Sequence, residues 1–287
     1  MSSPRRSWRG PTPWLGLTPF LLFLLVFLLV PTVTVVVGAF AENGRPSLVN
    51  VQALFDQSQL AQLERSVVLS AVSAVVGAVF GGFLAYLVVT RPASSPFRRV
   101  VTAVSGVLAQ FGGVPLAFAF VATVGFSGVV TQAFAHVLGI DIFGSGWLFG
   151  LPGLILVYSY FQIPLMVIVF LPALEGIRPQ WREAAVNLGA TTSQYWRQVA
   201  GPMLLPGFLG SMLLLFANAF AAYATAAVLV TQGAPIVPLA IRSALTSEVV
   251  LGRENYGFAL AFEMIVVVAL VMVAYTLLVR RTSRWLR

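Results

Sequence analysis

The chain has 287 residues, 59% of them hydrophobic and 9% charged, far below the roughly 25% charged residues of an ordinary soluble domain, which makes it a membrane protein. All seventeen basic residues are arginine, with one histidine and no cysteine, so disulfide frameworks, thiolate chemistry and Cys/His metal sites are excluded and no cofactor is expected. Without lysine there is no Gly-x4-Gly-Lys phosphate loop for ATP hydrolysis, and the net charge of +8 follows the membrane in its placement rather than pointing to nucleic acid.

Each crossing of the hydrocarbon core needs about 20 apolar residues. Charge-free stretches predict six helices, at about 15–40, 66–89, 100–123, 150–171, 206–230 and 256–279, forming one transmembrane domain (15–287) behind a short tail (1–14). Alternate connections differ sharply in arginine. One side holds Arg5, Arg6, Arg9, Arg91, Arg98, Arg99, Arg178, Arg182, Arg197, Arg280, Arg281, Arg284 and Arg287, against Arg45, Arg65, Arg242 and Arg253 on the other. The positive-inside rule then places both termini, and the loop between the fourth and fifth spans, in the cytoplasm.

The first apolar run, ending near Ala39-Phe40-Ala41, is longer than the roughly 7–15 residues of a signal-peptide core, so it is expected to be retained as a span. The external loop after it, 41–65, carries the turn Asn43-Gly44-Arg45-Pro46 and then an amphipathic segment with Leu54, Phe55, Leu60 and Leu63, expected to lie along the surface. In the second span, Gly77 and Gly81 have the GxxxG spacing of close helix packing. The external stretch 124–149 is rich in glycine and predicts short interfacial helices and turns. Its lone His136 carries no expected chemistry.

A polar island, Glu175 to Gln198, follows the fourth span. Pro179 suits a first helical turn, Gln180 to Leu188 favour helix, and Gly189 supplies a left-handed stop. Thr191 and Gln194 have capping-box spacing, so a second short helix is expected there until Pro202 disrupts it. The first arm, about 15 Å long, places Glu183 and Asn187 one turn apart beside the small Ala184.

In the fifth span Asn218, Ala221, Ala222 and Thr225 recur at helical spacing between Phe216, Phe220 and Tyr223. Such a face either lines a pathway or packs closely on another helix. Glu263 is the acid well inside a predicted span and must face protein or water, as a partnered or partly solvated group or as a solute contact. Asn218, Tyr223, Thr225 and Glu263, with Gln110, Tyr158, Tyr160 and Gln162, are the candidate pathway residues.

The island closely resembles the EAA loop of the membrane-spanning subunits of binding-protein-dependent ABC importers. Glu183, Ala184, Ala185, Gly189, Val199 and Pro202 match that signature, and Pro206 stands where a further proline is common. Gly201 departs, standing where the family usually has leucine.

The resemblance implies an all-α, type I importer permease in the bacterial inner membrane, with coupling helices at about 175–205. It also implies partners: two cytoplasmic ATP-binding subunits, a second permease subunit, identical or homologous, and an external solute-binding protein. In the family this loop docks in a groove of the ATPase. Glu183 would pair with a basic residue there, Ala184 and Ala185 would allow close packing, Asn187 would lie on the contact face, and Gly189 would hold the two arms at an angle. Catalysis would reside in the ATPase.

The last third resembles the branch importing polyamines, phosphonates, thiamine, iron or inorganic anions. Polyamine-importing relatives often have acidic residues about where Ala221 and Ala222 stand here, and their absence argues against a cation. An ion-gradient transporter would call for inverted halves with matching broken helices, and no such symmetry is visible; an export or scaffold subunit would differ in having no external binding protein.

Overall fold

The computed structural model describes residues 12–42, 44–144, 146–230, 236–246 and 254–282. Arg5, Arg6, Arg9, Arg253, Arg284 and Arg287, part of the arginine asymmetry, lie outside the described residues, as does Asn43 of the predicted turn. Among the described residues six helices are long and apolar enough to cross a membrane, at Gly16–Ala39, Gln57–Val89, Gly113–Leu138, Leu151–Glu175, Thr192–Ala221 and Asn255–Arg280.

The first span comprises α1 (Thr12–Leu24), a π-helical turn at Leu25–Leu29, and α2 (Val30–Ala39). The wide turn stands directly before Pro31. Proline lacks the amide of an i→i−4 bond and its ring crowds the carbonyl one turn back, which a π turn accommodates. Beyond α2, a two-stranded hairpin (β1, Ala41–Glu42; β2, Arg45–Pro46) pairs antiparallel with Ala41 opposite Pro46. It leads through α3 (Val49–Ala53) into α4 (Gln57–Val89).

Here the structure departs from the sequence expectation. The segment holding Leu60 and Leu63 does not lie along the surface but forms the first turns of the second span. The physical reason is polar: Gln59 is buried and its Nε2 donates to Glu263 Oε2 at 3.0 Å, while Tyr256 donates its hydroxyl to Gln59 Oε1 at 3.3 Å. This network fastens the extended end of α4 to α14 (Glu254–Thr282).

The bundle is built on α4 packed against α8 (Leu151–Glu175), the most enclosed of the spans. Small residues make the approach close. A Cβ at Gly77 would stand 2.7 Å from Gln162 Cβ, and one at Gly81 would stand 2.4 Å from the Ile163 carbonyl. Ala74, Ala78 and Ala85 are buried along the same helix. With no hydrophobic drive between helices in lipid, this contact surface and its cross-helix hydrogen bonds hold the spans together; Gln162 donates to Ser73 at 3.1 Å. Aliphatic and aromatic side chains of α8 and α11 (Gly201–Ala221), among them Met166, Phe170 and Leu215, fill the layer around it.

Two predicted spans are interrupted. The stretch expected as one helix at 100–123 is α5 (Pro96–Gln110) and α6 (Gly113–Val124), separated at Phe111-Gly112. Gly113 adopts φ +71°, a conformation that costs glycine little and other residues more. The apolar span here takes in α6 and α7 (Val129–Leu138), two helices joined by a turn, the second of which the sequence assigned to an external loop of short helices. The fifth span begins earlier than expected, at Thr192, and stops at Ala221; α12 (Ala224–Leu229) is a separate short helix. A shorter helix, α13 (Val237–Thr246), packs on α14, and Leu245 lies over Gly257.

Candidate coupling surface and pathway face

The polar island folds as two arms. Arg178 is extended at the entry, and Pro179 opens α9 (Pro179–Asn187). At its end the Ala190 amide donates to the Ala185 carbonyl and the Gly189 amide to the Val186 carbonyl, both at 2.9 Å, with Gly189 at φ +78°. That pair of bonds is a Schellman closure, which satisfies terminal carbonyls by turning one residue left-handed.

Thr191 then starts the second arm. The Gln194 amide donates to Thr191 Oγ1 at 3.3 Å, and the Thr191 amide donates to Gln194 Oε1 at 2.8 Å, the reciprocal capping box expected from the spacing. This arm is not stopped by Pro202. It runs from α10 (Thr192–Tyr195) through a π turn at Trp196–Ala200 directly into α11, so that the second arm is the N-terminal end of the fifth span. The π turn precedes Pro202 as the first one precedes Pro31, and the same proline argument applies. It also accounts for Gly201, since a Cβ there would stand 2.5 Å from the Trp196 carbonyl.

The arms have their own small core of Ala185, Tyr195 and Ala200, with Ile177, Ala190 and Val199 against it. Of the seven residues singled out for coupling, Ala185 and Val199 face inward as this core, while Glu183, Ala184, Asn187 and Gly189 are exposed on the first arm. Pro202 is half-buried at the start of α11. Among the described residues the Glu183 carboxylate has no ion-pair partner; the one ion pair joins Arg98 to Glu175, tying the first turn of α5 to the last turn of α8. Between the arms lies a cleft of about 680 Å³ bordered by Trp181, Ala184, Leu188, Gln194, Gln198 and Met203.

Sequence reasoning passed over Leu188, which is 88% exposed at the apex, and Val186 beside it. Their signal was two aliphatic residues within a polar loop.

The candidate pathway residues separate into two groups. Asn218 is exposed on α11, and Tyr223 is half-buried at the break that follows it. Thr225 is buried: the Gly113 amide donates to its Oγ1 at 3.0 Å, and its hydroxyl donates to the Gly113 carbonyl at 3.3 Å. The two interrupted spans are thereby tied together at their breaks. Tyr158, fully buried, donates its hydroxyl to the Ala222 carbonyl at 2.7 Å and so caps the end of α11. Glu263 and Gln162 lie between helices, and Gln110 is exposed immediately before the first break. Tyr160 packs edge-on against Phe120. A residue not singled out, Arg242 of α13, places its guanidinium carbon 5.7 Å from the centre of the Tyr223 ring and donates to the Tyr223 hydroxyl.

Among the described residues no cluster of His, Cys, Asp and Glu is arranged to hold a metal ion.

The family described as the binding-protein-dependent transport system inner membrane component matches residues 77–284. A sulfate transport system permease protein of Synechocystis sp. is 28% identical over 253 residues, which is 88% of this chain and 86% of the relative. Among solved structures, a bacterial ABC transporter importing the acidic polysaccharide alginate has a chain with the same fold, at TM-score 0.77 and 18% identity over 96% of this chain and 99% of that one. A bacterial alginate ABC transporter, solved in complex with an alginate pentasaccharide-bound periplasmic protein, aligns at TM-score 0.73 and 18% identity over 96% of this chain and 98% of that one.

Proposed function

Because the chain belongs to the family of binding-protein-dependent transport system inner membrane components, and is thus a multi-pass inner-membrane permease subunit of an ABC importer, we propose that residues 175–205 are its coupling element. In this reading the first arm docks on a separate cytoplasmic ATP-binding subunit, and hydrolysis takes place there and not in this chain. Two such subunits, a second permease chain and an external solute-binding protein complete the importer.

The observation that carries the proposal is the construction of the two arms. A Schellman closure and a capping box fix the bend without help from any partner, and leave Glu183, Ala184, Leu188 and a cleft open on the arginine-rich side. A short helix set in a groove is a recurrent recognition mode, with apolar side chains anchoring and a charge orienting. Continuity of the second arm with the fifth span supplies the mechanism. A displacement of the docked arm passes along one helix, Thr192–Ala221, as far as the break at Ala222. The Arg98–Glu175 ion pair would keep the end of α8 in register with α5 during that motion.

Glu183→Lys and Gly189→Asp test this. Both are expected to leave the subunit in the membrane and to abolish solute uptake, the first by reversing the docking charge and the second by straining a left-handed position. Full uptake and full co-purification of the ATP-binding subunits with both variants would contradict the assignment.

A further inference from the structure

We infer that the exposed face beside the break in the fifth span contacts the translocated solute and selects an anion, with Arg242 as the specificity-determining charge. The inference rests on the permease reading above and deepens it.

Three positions on α11, Leu214, Asn218 and Ala221, are exposed at spacings that place them on one helix face. Among the described residues the Asn218 carboxamide has no hydrogen-bond partner. A carboxamide turned to lipid would cost a few kcal/mol, so this face of a spanning helix meets water or another polar surface. The face leads to Ala222, where the helix stops, and to Tyr223, where Arg242 is seated.

Arg242 is exposed but held in place. Its guanidinium is engaged by the Tyr223 ring and hydroxyl together, which orients the planar fork and leaves other N–H donors of the group open to a ligand. Among the described residues it has no carboxylate within ion-pair distance. In α6, α11, α12 and α13 Arg242 is the single charged side chain, and in α8 the lone acid is Glu175 at the far end. The residues that flank Tyr223 in sequence, Ala221, Ala222 and Ala224, are small. A cation beside apolar helices attracts anions more strongly than the same charge in bulk water. A fork of N–H donors suits the oxygens of a carboxylate or a tetrahedral oxyanion.

The chain contains no cysteine, so Ala221→Cys introduces one thiol whose modification is read from the mass of this subunit in the assembled importer. Its reaction rates with anionic sulfonatoethyl and cationic trimethylammonioethyl methanethiosulfonate are compared with Arg242 intact and with Arg242→Gln. The expected result is reaction with both reagents, and an anionic-to-cationic rate ratio that falls about fivefold with Arg242→Gln, the scale of one unit charge at roughly 8 Å in water. A ratio that Arg242→Gln leaves unchanged would overturn the anion assignment and leave the permease reading standing. A thiol inert to both reagents would overturn the solute-contacting face itself. Loss of co-purifying ATP-binding subunits with the chain unmutated would instead count against the permease reading.

Discussion

Gly113 and Thr225 hold each other across two interrupted spans: the Gly113 amide donates to Thr225 Oγ1 at 3.0 Å, and the threonine hydroxyl donates back to the Gly113 carbonyl at 3.3 Å. Each break leaves backbone groups without helical partners, and in lipid such groups must be satisfied within the protein. Thr225 supplies both halves of that satisfaction with one hydroxyl, and Tyr158 completes it at Ala222.

Thr225→Val conserves shape and removes both bonds. At about 1 kcal/mol per hydrogen bond, with the half-buried Gly113 amide left unpaired, the expected cost is roughly 2 kcal/mol. It should appear as a lowered midpoint of thermal aggregation of the detergent-solubilised complex, while Thr225→Ser should stay near the parent.

These breaks were unequally legible. Gly112-Gly113 inside an apolar run is a local breaker, and a reading by hydropathy alone passed over it. Ala221-Ala222-Tyr223-Ala224 contains neither glycine nor proline; its break comes with a tertiary contact, the Tyr158 hydroxyl on the Ala222 carbonyl, that no local pattern encodes. The bend of the polar island, by contrast, was readable from Pro179, Gly189, Thr191 and Gln194, because its closing bonds span only a few residues. Pro202 does not stop the second arm as the local proline rule predicts, because a preceding π turn accommodates it within one continuous helix.

Close packing of α4 on α8 predicts opposite responses at two glycines. Gly81→Ala brings a Cβ to within 2.4 Å of a backbone carbonyl, and the overpacking cost of about 1–3 kcal/mol exceeds the gain of up to about 1 kcal/mol in helix propensity. Gly106→Ala on α5 meets nothing within 4 Å and should be neutral or stabilising. Thermal aggregation midpoints of the two variants, measured side by side, check the sign.

Gly201→Leu restores the residue common in the family but sets a Cβ 2.5 Å from the Trp196 carbonyl. The π turn would have to shift and the second arm with it. The expected outcome is lower thermal stability and reduced uptake from correctly inserted protein, measured by uptake per unit of membrane-integrated subunit.

The Gln59–Glu263 contact joins the first turn of α4 to α14. Glu263→Gln keeps an acceptor for Gln59 Nε2 and should change stability by less than about 1 kcal/mol, whereas Glu263→Leu leaves that buried amide unpaired and should cost about 1–3 kcal/mol. Thermal unfolding of both variants separates a structural carboxylate from a solute contact, since the structural role predicts normal uptake with Glu263→Gln.

The most direct measurement of the coupling assignment is the protection of position 188. Leu188 is 88% exposed at the apex of the two arms, and in a chain without cysteine Leu188→Cys provides a single thiol for maleimide labelling. Rapid labelling of the isolated subunit is expected, with strong protection once the ATP-binding subunits are bound. Equal labelling of free and assembled subunit, in a complex that still imports its solute, would contradict the coupling assignment.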